Sequence, residues 1–435
     1  MDLSIFGPFV QIFGILKVVF TNLWQFIVPP FLFIIAFISW VYYRQGQYLG
    51  RIEYVLLNIN VPTENLRTPF AAEQIMAGLH GILAPRDVIE KYWLGEIQEW
   101  FSFEIVGIEG HVNFVIRTPV QFRDLVEAHV YAQYPEAEIV AVEDYTKDIP
   151  SNIADPNSPW ELWGTEMNLG REDAYPIKTY VDFEIATQTV PDEAKLDPLA
   201  SIAEVMSSLG PGEQMWMQIL ALPADETWKE EGEKLVKKLI GVKAPKKKSF
   251  LKDFVDEWTE VAIKGVVEAP FGPPTFTTGA KEENGSLPSL MQFLSPGEQE
   301  TVKAIQRNLN KVAYRSKIRM VYLMRKDIYD KPLLKARCLA FVGAFNQFVT
   351  TNLNTFQTSR KTSAHYWFPT ARLNRRKKEI LSEYKNRSIS DGTSYFFNIE
   401  ELATLFHFPM TTLKAPLVER MEVKKAVPPK GLPIV

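Results

Sequence analysis

The sequence predicts an α+β protein: an N-terminal transmembrane helix followed by two ferredoxin-like β-α-β-β-α-β domains, the second carrying large helical insertions. Three observations predict it. From Leu3 to Tyr43 the only formally charged side chain is Lys17. Two successions of strand, helix, hairpin, helix and strand follow. A loop rich in Asp, Asn, Ser and Pro, 148–159, separates them. The averages over all 435 residues, 46% apolar, 12% aromatic and 23% charged, exclude a disordered tail, a collagen-like fibre and a polytopic transporter. One cysteine, Cys338, excludes a disulfide framework and a Cys-based zinc cluster.

The expected organisation assigns 1–23 to an amphipathic or membrane-interfacial segment and 24–43 to the transmembrane helix. A first α+β domain covers 50–147, and a second covers 160–409 with insertions near 223–315 and 351–393. A Pro-rich arm occupies 410–435. Trp24–Tyr43 (WQFIVPPFLFIIAFISWVYY) has Gln25 and Ser39 as its clearly polar members. Such a run is long enough for a bilayer core, which needs about 20 residues. Trp24, Trp40, Tyr42 and Tyr43 sit at its ends as interface rings, and Arg44 and Arg51 beyond it place 44–435 in the cytoplasm. Pro29-Pro30 either kinks this helix or begins a shorter one.

In the first domain, Tyr54–Val61 reads as a strand and Pro69–Leu83 as a helix stopped by Pro85. A short helix is expected at Asp87–Gln98. Trp100–Gly107 and Val112–Thr118 read as a hairpin around Glu109-Gly110, Pro119–Gln133 as a helix and Ala137–Val142 as the fourth strand. In the second, strands are expected at Thr179–Thr189, Glu213–Leu222, Ser316–Lys326 and Ser394–Asn398, with helices at Pro198–Leu209 and Leu333–Thr350. Inserted helices are expected at 226–240, 251–267, 297–313 and 374–385, and a flexible link at 265–294. The stretch VNFVIRTPVQFRD (Val112–Asp124) aligns without gaps on IRMVYLMRKDIYD (Ile318–Asp330), which suggests a duplication.

Charge is distributed unevenly. Residues 44–300 hold 22 Lys and Arg against 42 Asp and Glu, a net of −20, while 301–435 hold 25 against 9, a net of +16. The basic third supplies candidate polyanion-binding residues: Arg315, Lys317 and Arg319 at alternating strand positions, Arg360 and Lys361, Arg372, and the run Arg375, Arg376, Lys377, Lys378. Tyr366-Trp367-Phe368 interleaves with them and offers rings for base stacking. The same asymmetry equally suits acidic and basic parts of one chain facing each other. A separate basic run from Lys243 to Lys252 precedes the aromatic face Phe250, Phe254, Trp258.

No catalytic constellation is found. A GxxxxGK(S/T) loop, a G-x-S-x-G elbow, an H-E-x-x-H pair and an EF-hand loop are all missing from the sequence. His80, His111, His129, His365 and His407 show no metal-binding spacing. The chain is therefore expected to be neither an enzyme nor a cofactor protein.

Three long segments carry a resemblance: Gly50–Ile82 (GRIEYVLLNINVPTENLRTPFAAEQIMAGLHGI), Phe101–Ile139 and Phe397–Pro409 (FNIEELATLFHFP). The apolar run with its Pro-Pro pair and the closing KKAVPPKGLPI (Lys424–Ile434) join them. Together they resemble the membrane-anchored amino-terminal region of bacterial type IV secretion-like, conjugative DNA-transfer proteins, which precedes a HerA/FtsK-type P-loop ATPase domain. The resemblance implies a non-enzymatic, single-pass component of the bacterial inner membrane that organises a motor ATPase at its cytoplasmic face. Its partners would be the lipid bilayer, the motor or other secretion subunits, copies of itself and DNA. The alternative is a membrane-tethered nucleic-acid-binding protein acting through the basic third.

Overall fold

A computed structural model describes residues 7–62, 65, 67–186, 196–240, 294–364 and 366–410, with side chains from Val28 onward. The first half begins with β1 (Tyr54–Asn60). Helix α2 (Pro69–Leu79) starts on a proline, whose missing N–H is no loss there, and buries Ala71, Ala72, Ile75, Met76 and Leu79. Strands β2 (Phe101–Ile108) and β3 (His111–Pro119) turn at Glu109 and Gly110, both at positive φ, the geometry a tight hairpin requires. Helix α3 (Arg123–Gln133) and β4 (Glu138–Val142) complete it.

The second half opens with β5 (Trp160–Leu169), α4 (Tyr180–Ala186), α5 (Ala200–Ser207) and β6 (Glu213–Pro223). Helices α6 (Thr227–Leu239) and α7 (Pro296–Leu309) pack on each other, and a Ser295–Glu298 capping box starts α7. Then come β7 (Ala313–Arg325), α8 (Lys331–Gly343), β8 (Phe356–Ser359), α9 (Pro369–Lys385), β9 (Tyr395–Asn398) and α10 (Ile399–Leu405).

The strands form one antiparallel sheet in the order β4-β1-β3-β2-β6-β7-β5-β8, with β9 paired to β7. Outward from its centre, each half presents its second, third, first and fourth strands. The halves join where β2 pairs β6, from Phe101 opposite Ala221 to Ile108 opposite Gln214. One face of this sheet is covered by α2, α3, α5, α8 and α10 over a core that includes Phe103, Ile116, Met217 and Met320. The other is covered by α9 and the 145–153 segment, through Trp216, Val321, Ile380, Leu381, Tyr384 and Ile149. Cover on both faces explains why even the polar residues of β2, β6 and β7, such as Glu104, Gln218 and Arg319, are buried.

Several expectations are corrected. Instead of two separate ferredoxin-like domains behind a transmembrane helix, both halves share one nine-stranded sheet and one principal core. Of the expected strand Thr179–Thr189, Tyr180–Ala186 is helical and 187–189 lie outside the described residues, and Trp160–Leu169 is the first strand of this half. The 394–398 segment does not close the half. Because β5 pairs only Ile318–Arg325 of the long β7, Ala313–Ser316 remain open for β9, and Phe356–Ser359 takes the outer place beside β5.

The N-terminal helix α1 runs from Gly7 to Leu49, with Pro29 and Pro30 inside it. Among the described residues, no helix is long and apolar enough to cross a membrane. The expected single-pass inner-membrane placement, with 44–435 cytoplasmic, is corrected accordingly. The side chains of the 1–23 segment and of Trp24 lie outside the described residues, as do the 251–267 helix, most of the 265–294 link, the Lys243–Lys252 run and 411–435 of the arm.

Candidate functional site

Two features of the surface and one of the interior bear on function. The first is apolar. Along α1, Phe31, Leu32, Phe33, Ile34, Ile35, Phe37 and Ile38 are all exposed. At 100° per residue, consecutive exposed positions point in every direction, so this stretch has no polar face. Beside it lies 88–94, where Val88, Ile89 and Trp93 are also exposed and Glu90–Leu94 forms a π-helical turn. The two segments enclose an open groove of about 840 Å³ lined by Phe33, Phe37, Trp40, Ile89, Tyr92 and Trp93.

The groove is built rather than accidental. Phe37 meets Tyr92 at 5.7 Å between ring centroids, and Trp40 meets Trp93 at 5.6 Å. The Arg44 guanidinium lies over Trp40 and donates from Nε to the Trp93 carbonyl at 2.8 Å. Below it, Tyr48 donates to the buried Glu99 carboxylate, and burial followed by that carboxylate pushes the Tyr48 hydroxyl well above its ordinary range. Gly95 ends the turn at φ +74°, and a Cβ there would sit 2.4 Å from the Arg44 backbone, so only glycine fits.

The interior feature is a charged layer on the sheet face beneath α9. Arg387 is fully buried and grips Glu104 through two nitrogens, at 3.0 and 3.2 Å, and Asp144 through Nη1 and Nη2. Ser102, Tyr145 and Gln218 also donate to Glu104, at 2.6, 2.8 and 3.2 Å. Burial pushes the Glu104 carboxyl up, but Arg387 and these donors override it and leave it below its ordinary value. Asp144 follows the same pattern.

A neighbouring cluster joins Arg319 to Glu166 at 3.0 Å and to Glu383 at 3.4 Å, while Arg360 spans the same two carboxylates. Lys317 donates to the carbonyls of Ile389 and Asp391, and burial lowers its ammonium to about 8. Each of these charges is expensive to bury alone and tolerable only in company.

The predicted polyanion residues therefore have two fates. Lys317 and Arg319, fully buried, are out of reach of any external polyanion because they are held within the sheet layer. Arg315 donates to Ser394 at 2.9 Å, Arg360 is tied to Glu383, Lys377 to Glu161, and Arg376 to the Ser363 carbonyl. Arg375 pairs with Glu379 one turn away at 2.6 Å yet stays exposed. Lys361, Arg372 and Lys378 are exposed and form no ion pair among the described residues. The predicted interface residues Trp40, Tyr42, Tyr43 and Arg44 all lie on or beside the apolar groove and ridge.

Sequence reasoning missed the 88–94 partner of α1. Its signal was present, since Val88, Ile89, Tyr92 and Trp93 fall on one helical face opposite Asp87, Glu90 and Lys91. It also missed Arg387, and the buried pair in which His407 Nε2 lies 3.0 Å from Asp197 Oδ1 while the Met410 N–H donates to the same carboxylate. Cys338 is buried, and desolvation pushes its thiol up to about 12, consistent with a packing residue. Among the described residues, no group of three metal-ligating side chains is present.

No curated protein matches the chain. A family described as "Domain of unknown function (DUF8128)" matches residues 59–420, a span that takes in both halves of the sheet. The chain belongs to that family.

Proposed function

We propose that this protein is a non-enzymatic tethering subunit that holds a larger assembly against a lipid surface without crossing it. The observation that carries the reading is the apolar end of α1, exposed on all sides from Phe31 to Ile38 and stapled to the body through Trp93, Arg44 and Gly95. Monomeric soluble proteins rarely leave so large a contiguous apolar surface uncovered. Aromatic rings of Trp40, Tyr42, Tyr43 and Trp93 follow the aliphatic stretch, and Arg44 and Arg51 follow the rings of α1. That order, apolar then aromatic then cationic, matches the succession of acyl chain, interface and headgroup.

The larger assembly is the part that rests on resemblance. A place in a type IV secretion-like transfer machine, beside a P-loop motor ATPase and further copies of this chain, is the role implied by Gly50–Ile82, Phe101–Ile139 and Phe397–Pro409. The rigid, doubly covered sheet supports that role as a platform.

Flotation of the full chain with vesicles of mixed neutral and anionic lipid tests the tether. The wild type is expected to float, and Phe33→Ser/Phe37→Ser/Trp93→Ser to remain in the soluble fraction. A wild type that stays below the vesicles, or a triple variant that floats equally well, overturns the reading. Pull-down of the chain from its own cells tests the assembly, where recovery without any ATPase removes the motor from the proposal.

A further inference from the structure

The loop that leads into α9 carries a second uncovered surface with a different chemistry. Tyr366, Trp367 and Phe368 are 75%, 84% and 79% exposed, three consecutive large rings that make no ring contact among the described residues. Phe368 adopts φ +53° and ψ +55° as it caps α9, a left-handed conformation unfavourable for a bulky side chain. The chain bears that cost while leaving the ring in solvent, so the strain is not repaid by core packing.

Around the rings the charge is of one sign. The first ten residues of α9, 369–378, contain Arg372, Arg375, Arg376, Lys377 and Lys378 and no acidic residue. Arg372 sits beside the ring cluster, with Nη1 donating to the Tyr366 carbonyl at 3.4 Å. A cavity of about 560 Å³ adjoins this segment, lined by Trp163, Tyr329, Leu339 and Leu373 and including Lys335 and Lys361. Its acidic member, Glu161, is already neutralised by Lys377.

We infer that this surface is a docking site for single-stranded nucleic acid, with bases stacked on Tyr366, Trp367 and Phe368 and phosphates beside Lys361, Arg372, Arg375 and Lys378. Unpaired bases offer flat π faces to exposed rings, and their backbone supplies the negative charge that the basic segment lacks. A duplex hides those faces in its stack and fits only the charge.

A lipid surface also accepts aromatic rings beside cations, but the placement of the rings argues against it. The far end of α9 lies at the foot of α1, where Trp100 Nε1 donates to the Arg387 carbonyl and Trp100 packs in one cluster with Ile389 and Leu49. Seventeen helical residues then separate that foot from Phe368, about 25 Å along α9. The foot of α1 and the three rings thus lie at opposite ends of α9, and the rings belong to a different segment from the apolar stretch of α1. The inference stands on its own observations and survives the loss of the tether.

Fluorescence anisotropy of the full chain with a labelled oligo-dT strand of about twelve nucleotides tests it. At low salt the wild type is expected to bind, with Trp fluorescence quenched as the rings stack. Tyr366→Ala/Trp367→Ala/Phe368→Ala is expected to weaken binding roughly 10- to 100-fold. Arg372→Ala/Arg375→Ala/Lys378→Ala is expected to flatten the plot of log K against log salt by about 2, at ~0.7 per phosphate contact. All six side chains are exposed, so circular dichroism should match the wild type; should the aromatic triple variant misfold, Trp367→Ala alone gives the same readout at smaller size. Absence of binding at low salt overturns the inference. So does unchanged affinity in the aromatic variants, or duplex bound as tightly as the single strand. Capture of the chain by anionic vesicles through these same three rings reassigns the surface to lipid and overturns it equally.

Discussion

The basic residues at the two ends of α9 come from one charge-rich stretch of sequence and meet opposite ends. At its C-terminal end, Arg387 is buried under the sheet's second face with Glu104 and Asp144, beside Lys317 and Arg319. Toward its N-terminal end, Lys361 and Arg372 stand in solvent with three bare rings, and Lys378 is exposed further along the helix. A net charge of +16 in the last third is thus two quantities added together. One part neutralises carboxylates of the acidic segment across the sheet, and the other is free to meet something outside.

The comparison breaks most visibly at Arg387. Replacing it with Met strands Glu104 and Asp144 under α9, and a loss of about 3–5 kcal/mol is expected for removing one partner of a buried pair. Equilibrium denaturation in urea reads it, and a loss below about 1 kcal/mol would mean that the layer is not held by charge pairing. Arg319→Met should cost less, about 2–3 kcal/mol, because Arg360 still reaches both Glu166 and Glu383.

pH sharpens the same contrast. Burial raises the Glu104 and Asp144 carboxyls, but Arg387 and the surrounding donors bring both below their ordinary values in the folded protein. Groups with depressed folded values contribute stability above their unfolded range, near pH 4, and lose it as pH falls through the folded values. In Arg387→Met, burial is no longer overridden, so the gap between wild type and variant should be widest near neutrality and narrow in acid. A gap that is constant from pH 7 to pH 3 would remove electrostatics as its cause. The smallest effect belongs to the exposed end: Arg372→Ala/Lys378→Ala should leave stability within about 0.5 kcal/mol of wild type, while shifting any salt-dependent binding.

Much of this was legible beforehand, and the misses have physical causes. Strand runs such as FSFEIVGI and the Glu109-Gly110 turn reveal themselves because covered strands are mostly apolar and tight hairpins need positive φ. The alternation of Arg315, Lys317 and Arg319 correctly put them on one face. It could not say that α9 would cover that face, because partners such as Glu166 lie about 150 residues away in sequence. The apolar run of α1 read as a span because hydropathy counts residues along the sequence, whereas among the described residues no helix is long and apolar enough to cross a membrane. The apolar face of 88–94 was legible, but not its docking on α1, since an amphipathic pattern does not say which distant segment it packs against.

The pairing of β2 with β6 also decides how the molecule can be taken apart. The loop at 148–159 invites a cut, and either fragment would then carry a freshly bared central strand with eight residues' worth of amides and carbonyls. Such an edge is long and mostly apolar, with Glu104 the one charge among the residues that β2 and β6 pair, so little blunts it in the way natural edges are blunted. Fragments made at that loop should stick to one another before they can report anything about function, so dissection of this protein has to proceed by point substitution in the intact chain.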